Sequence, residues 1–138
     1  MERLRQYHPA QRRCSLRVAG LSAPRVSFSS TEARVGQHVY AIGSPQGLEL
    51  TLSEGLVSSL RPSPHGAIIQ TTAPISPGSS GGGLFNDKAQ LIGIVTFQHK
   101  SGQNLNFALP ASWISDMQQR GATESVSAPI ARSANSPQ

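Results

Sequence analysis

The chain has 138 residues, with 12 basic against 7 acidic side chains, a net charge of +5, and a single cysteine. That length allows one domain of ordinary size, and the mixture of apolar, polar and turn-forming residues is that of a globular protein. No stretch of eighteen residues is continuously apolar, which excludes a membrane-spanning helix, and Cys14 has no second cysteine to bond.

The charge is unevenly placed. Residues 1–25 hold Arg3, Arg5, Arg12, Arg13, Arg17 and Arg25 against Glu2, while basic and acidic side chains balance over the rest. Without interleaved aromatics or a nucleic-acid module, this basic N-terminal arm reads as a solvated segment, and no nucleic-acid partner is expected. The opening residues have charge but no apolar core region, so they are not read as a secretory signal, and localisation stays unassigned. The arm has little periodicity beyond Leu16–Val18 and is expected to be mobile over residues 1–25.

From residue 35 the sequence reads as short strands between turn signals. Val39 to Ile42 ends at Gly43-Ser44-Pro45-Gln46-Gly47; Leu48 to Thr51 and Gly55 to Leu60 follow; Arg61 to Gly66 is a turn; Ala67 to Thr71 is the next strand. Leu84-Phe85 turns at Asn86-Asp87-Lys88 into Leu91 to Phe97, and a turn at His99 to Gly102 leads to Leu105 through Leu109. About six β segments at this spacing predict an all-β fold built as a small antiparallel barrel or sandwich. Pro110 opens a short helix over Ala111 to Arg120, with Gly121 as its stop and Trp113, Ile114 and Met117 as an apolar stripe. The barrel is assigned to residues 26–119, and the Ser-, Ala- and Pro-rich residues 120–138 are expected to be a disordered tail.

Between two of these strands lies Pro77-Gly78-Ser79-Ser80-Gly81-Gly82-Gly83. Glycines adopt backbone angles closed to other residues and let a substrate approach, while the amides of residues 78 to 80 can converge on a developing oxyanion. Ser80 is therefore a candidate nucleophile, provided that a base and an orienting carboxylate reach it. On this cluster alone a tight Gly-Ser turn without chemistry is the commoner outcome.

Four blocks sharpen the reading: Arg34 to Gly47 around Gly43-Ser44-Pro45, then Glu54-Gly55-Leu56-Val57-Ser58, then Ile75 to Gly82, then Asn106-Phe107-Ala108-Leu109-Pro110. In order and spacing they resemble the second barrel of trypsin-like serine proteases of the HtrA/Deg type. The resemblance implies a six-stranded antiparallel barrel with a short C-terminal helix and hydrolysis of peptide bonds through an acyl-enzyme on Ser80. It further implies oxyanion donors from the backbone of Gly78, Ser79 and Ser80, and an extended peptide added as a strand along Val95-Thr96-Phe97. A pocket near Ile75, without a carboxylate in Pro74 to Ser79, is expected to prefer small or medium aliphatic side chains. Nothing calls for a metal or another cofactor.

The departures matter equally. The family keeps its histidine in a first barrel and its aspartate near the junction, both upstream of the serine, and the alignment puts Arg12 about where that carboxylate belongs. Asp87 and Asp116 fall elsewhere, and His8, His38, His65 and His99 sit in an arm, a strand start or turns, so none is expected to activate Ser80. Ser79 replaces an aspartate that digestive relatives use for an activating ion pair, and Gly83 replaces a proline common in the HtrA type. The resulting expectation is a partial serine endopeptidase domain, lacking its catalytic His and Asp and inactive alone. Its expected partners are a polypeptide, a missing N-terminal barrel, and further copies of itself, since the surface that a first barrel would cover leaves an apolar patch around residues 26–42. Two alternatives stand beside it: a peptide-binding pseudoprotease, and a truncated relic in which residues 1–15 are foreign to the family.

Overall fold

The structure is a computed structural model. It describes the backbone of residues 2–8, 13–44, 49–64, 66–98 and 105–120, and the side chains of residues 18–44, 49–64, 66–96 and 105–116. The chain divides into two compact units, residues 1–22 with 116–138, and residues 23–115.

In the first unit, β1 (Glu2–His8) and β2 (Arg13–Val18) form an antiparallel hairpin. Leu4 is registered against Leu16 and Tyr7 against Cys14, with a bulge between Leu4 and Gln6. The expectation of an arm without strands is corrected here. The alternation Arg13-Cys14-Ser15-Leu16-Arg17-Val18 is a two-residue period along its whole length, and the six arginines of residues 1–25 had masked it as a charge run. Of the expected tail, residues 120–138, Arg120 belongs to the C-terminal helix, and 121–138 lie outside the described residues.

The second unit is a closed antiparallel barrel. Its strands are β3 (His38–Gly43), β4 (Thr51–Ser63), β5 (Gly66–Thr71), β6 (Gly83–Phe85), β7 (Leu91–Gln98) and β8 (Asn106–Pro110), in the order β3-β4-β5-β8-β7-β6 with β6 returning to β3. The six-stranded barrel expected from the sequence is the fold observed. Inward residues alternate along the strands, and Val39, Ala41, Val57, Ile69, Leu84, Ile92, Val95 and Ala108 fill the interior together with Ala73 and Ile75 from the connection after β5.

β4 differs from its expected form. It is one 13-residue strand rather than two, pairing with β3 through Leu56 and with β5 from Val57 onward. A long strand that changes partners is how a small barrel turns a corner, and a bulge between Val57 and Ser59 marks the place. Arg61, Pro62 and Ser63, expected in a turn, remain paired with Ile68, Ala67 and Gly66. This half of β4 has a single strand neighbour, so an edge without a ladder donor tolerates Pro62.

The β6–β7 turn is built on Asn86, whose Oδ1 accepts from the Lys88 and Gln90 amides at 3.0 and 2.9 Å. After β8, the Ala111 amide donates to the Ile92 carbonyl at 2.9 Å, and α1 (Ser112–Arg120) follows. Ala111 and Trp113 are buried and Ile114 is half-buried; the Met117 side chain and Gly121 lie outside the described residues.

Candidate active site

Two tight turns in succession shape the serine loop. The Ser79 amide donates to the Ser76 carbonyl at 3.0 Å, with Pro77 and Gly78 between them and Gly78 at φ 96°. The Gly82 amide then donates to the Ser79 carbonyl at 3.0 Å, with Ser80 at negative φ and Gly81 at φ 91°. A positive φ confined to the third residue is the mark of a type II turn, for which Pro-Gly is the favoured central pair. Ser79 ends one turn and begins the next, and Ser80 stands exposed at the second. Neither the Gly78 nor the Ser80 N–H has an acceptor among the described residues, so both amides remain available to an anion.

Strands on both sides hold the turns. The Gly81 amide donates to the Val95 carbonyl and the Val95 amide to the Gly82 carbonyl, each at 2.8 Å. On the opposite side Gly82 lies so close to the Ile42 carbonyl of β3 that a Cβ could not be placed there. Between Val95 and Phe97 the β7–β8 register slips, leaving Thr96 out of the ladder. A bulge re-aims the backbone groups of the extra residue. Here the Thr96 carbonyl accepts a hydrogen bond from the Ser80 hydroxyl at 2.8 Å.

The other expected site residues are distributed as follows. The structure brings Ser80, Gly78, Ser79 and the Thr96 backbone together. Ile75 and Val95 have their side chains in the barrel core, so only their backbones border the loop. The Phe97 side chain lies outside the described residues. His38 starts β3, four residues from Ile42 and thus about 13 Å along the strand from the point where Gly82 touches it. Asp87 is exposed in the β6–β7 turn and Asp116 is exposed on α1. Arg12, His65 and His99 and the side chain of His8 lie outside the described residues. Among the described residues, no imidazole or carboxylate is hydrogen-bonded to Ser80, and its hydroxyl meets a backbone carbonyl.

Two features were not read from the sequence. One is Thr96 as the partner of Ser80, because a bulge depends on the register of two strands. The other is Asn106, buried on β8, whose Nδ2 donates to the Ala73 carbonyl at 2.8 Å. A polar residue at an inward position of an otherwise apolar strand, Asn106-Phe107-Ala108-Leu109, was the available signal.

Comparison with known proteins bears on this geometry. The trypsin-like peptidase domain family matches residues 3–94, a stretch that includes both the β1–β2 hairpin and Ser80, and that takes in most of the residues 1–15 read above as foreign under one alternative. Serine protease PepD of Mycobacterium tuberculosis is 49% identical over 92 residues, covering 57% of this chain and 20% of that protein. A DegP-like probable periplasmic serine endoprotease of Pseudomonas putida is 39% identical over 103 residues, covering 69% and 22%. Protease Do-like 5, chloroplastic, of Arabidopsis thaliana is 44% identical over 99 residues, covering 63% and 31%. The chain thus spans between a fifth and a third of the length of these relatives.

Among solved structures, the HtrA-type protease AlgW with decapeptide is similar with a TM-score of 0.78 at 28% identity, covering 88% of this chain and 40% of that one. The serine endoprotease from Yersinia pestis gives 0.77 at 25%, covering 87% and 43%. The turns around Ser80, the closed six-stranded barrel and these matches agree: the chain belongs to the trypsin-like peptidase family, as a partial domain of the HtrA type.

Proposed function

We propose that the chain is the nucleophile-bearing half of an HtrA-type serine endopeptidase, with Ser80 as nucleophile and the amides of Gly78 and Ser80, spaced by Ser79, as oxyanion donors. One observation carries the reading. The Ser80 hydroxyl stands in the second of two type II turns, which share Ser79, beside two amides with no acceptor among the described residues, and bonds the Thr96 carbonyl at 2.8 Å. An extended polypeptide laid along Thr96 would bring a carbonyl carbon to Ser80 Oγ and its oxygen toward the two amides.

In the reaction, Oγ forms a bond to that carbon while its proton passes to a base and then to the departing amine; water later releases the acyl group by the reverse route. The backbone carbonyl at Thr96 orients the hydroxyl but does not take its proton. A base and its carboxylate would come from a first barrel, and these 138 residues by themselves do not turn over substrate. Loss of triad partners leaves a rate enhancement of about 10³ to 10⁴ over water, far below that of a working protease. The same hydrogen bond favours a second reading, a domain that holds extended peptides and cuts nothing.

A fluorophosphonate probe separates the two. The 138-residue chain should not be labelled stoichiometrically at neutral pH. Fusion to a first barrel carrying His and Asp should produce labelling that maps to Ser80 and disappears in Ser80→Ala. Rapid labelling of the chain alone would overturn the inactive reading, and a folded fusion that stays unlabelled would leave the peptide-holding domain.

A further inference from the structure

Gly43 ends β3 in ordinary ladder pairing with Thr51, and it is not among the glycines at positive φ. Other residues could adopt that backbone, and a glycine inside a strand weakens it. Space explains its presence. A Cβ at Gly43 would lie 2.9 Å from Ser79 Cβ, 3.0 Å from Ser79 Oγ and 3.1 Å from Ser79 Cα. Carbon atoms in contact settle at about 3.5–4.0 Å, so the Ser79 side chain already fills the place of the missing one. Ser79 is half-buried and its hydroxyl has no hydrogen-bond partner among the described residues, so its fit to Gly43 is one of shape.

Ser79 is also the joint of the serine loop. Its amide donates to the Ser76 carbonyl in the first turn, and its carbonyl accepts from the Gly82 amide in the second, each at 3.0 Å. The peptide bond from Ser79 to Ser80 is trans, so the Ser80 N–H points opposite to the Ser79 carbonyl. Holding that carbonyl toward Gly82 therefore sets the direction of the Ser80 amide, and displacing Ser79 tilts the shared plane and swings the amide with it. Gly82, at the other end of the turn, rests against the Ile42 carbonyl. The last two residues of β3 thus support both ends of the turn that carries Ser80.

We propose that Gly43 is a positioning residue for the oxyanion amide of Ser80. β3 aims that donor through the contact of Gly43 with Ser79, and any side chain at residue 43 turns it away. This rests on Ser80 and its amide acting as proposed above.

The test uses the full chain fused to a first barrel carrying His and Asp. Fluorophosphonate labelling of Ser80 is timed at a temperature where near-ultraviolet circular dichroism shows each variant folded. Gly43→Ala should slow labelling about tenfold or more, since complete loss of an oxyanion donor costs about 10²–10³. Adding Ser79→Gly moves one methyl-sized group from one partner to the other, and labelling should recover by about threefold or more over Gly43→Ala alone. A glycine needed only for stability would lower the melting temperature without this loss and recovery. Unchanged labelling in folded Gly43→Ala overturns the proposal, as does a double variant no faster than Gly43→Ala. If Gly43→Ala does not fold, Ser79→Gly is compared with Ser79→Ala. The glycine variant lacks the carbon that touches Gly43 and should be labelled more slowly; equal rates overturn the proposal. In the 138-residue chain, Gly43→Ala should also move the Ser80 amide resonance in a nitrogen–proton NMR spectrum, and shifts confined to residues 42–44 and Thr51 overturn the proposal without reference to labelling. A folded parent fusion that stays unlabelled removes the reading of Ser80 and this proposal with it, whereas a labelled parent with any of the contrary results above removes this proposal alone.

Discussion

Ala89 is the single non-glycine residue at positive φ among the described residues, at 56°, in the turn between β6 and β7. The turn survives because Asn86 satisfies two of its amides and also exchanges backbone bonds with Gln90 and Ala89. Left-handed backbone costs an alanine about 1–2 kcal/mol, while glycine there gives back about 0.4–1 kcal/mol through the freer unfolded chain. Ala89→Gly should therefore stabilise the barrel by about 0.5–1 kcal/mol, seen as a higher urea midpoint at unchanged slope. A lower midpoint would show that the strain is absorbed elsewhere. Residues differ in how openly they announce such roles. Pro77-Gly78 states its turn type in the sequence, since proline and glycine each restrict or permit one backbone angle. Thr96 and Asn106 do not, because a bulged carbonyl and a buried side-chain amide bond exist only after neighbouring strands have found their register.

At the scale of elements, local pattern revealed the barrel strands and the C-terminal helix to within a residue or two. It failed where tertiary pairing overrode punctuation. Pro62 and Pro64 read as a turn, yet Arg61 to Ser63 stay in β4 because β5 supplies a partner on one side and no strand claims a donor on the other. The β1–β2 hairpin was hidden for a different reason, its cluster of arginines resembling a solvated run. The contact of Gly82 with the Ile42 carbonyl links β3 to the serine turns directly. Gly82→Ala should cost about 1–3 kcal/mol, as overfilling does in a packed interior. In the fusion that restores labelling, it should also slow labelling of Ser80 at temperatures where the barrel remains folded. A fall in melting temperature with unchanged labelling would confine Gly82 to stability.

For the whole molecule, exposed apolar side chains extend beyond the region that the sequence suggested. Val26, Phe28 and Val35 are exposed as expected within residues 26–42, but Val39 and Ala41 are buried. Further exposure lies at Leu50 (77%), just before β4, and at Leu52 (63%) and Leu56 (37%) on the outer face of β4, with Glu54 between them. Exposed leucines grouped at the start of one strand favour association. Light scattering at micromolar concentration should show oligomers that the double substitution Leu50→Lys and Leu52→Lys reduces to monomer. A monomeric parent chain would remove the idea. One further consequence follows from the pairing that closes the barrel, the three-residue contact of β3 with β6 between Tyr40–Ile42 and Gly83–Phe85. Strands distant in sequence meet slowly because the intervening chain must first be closed into a loop. The Ser80 turns are pressed against Ile42 at that very seam, so a chain with every other ladder formed is compact and protected from solvent but still lacks the arrangement around its serine. The arrangement around Ser80 should therefore be among the last features to form as the barrel folds and among the first to open.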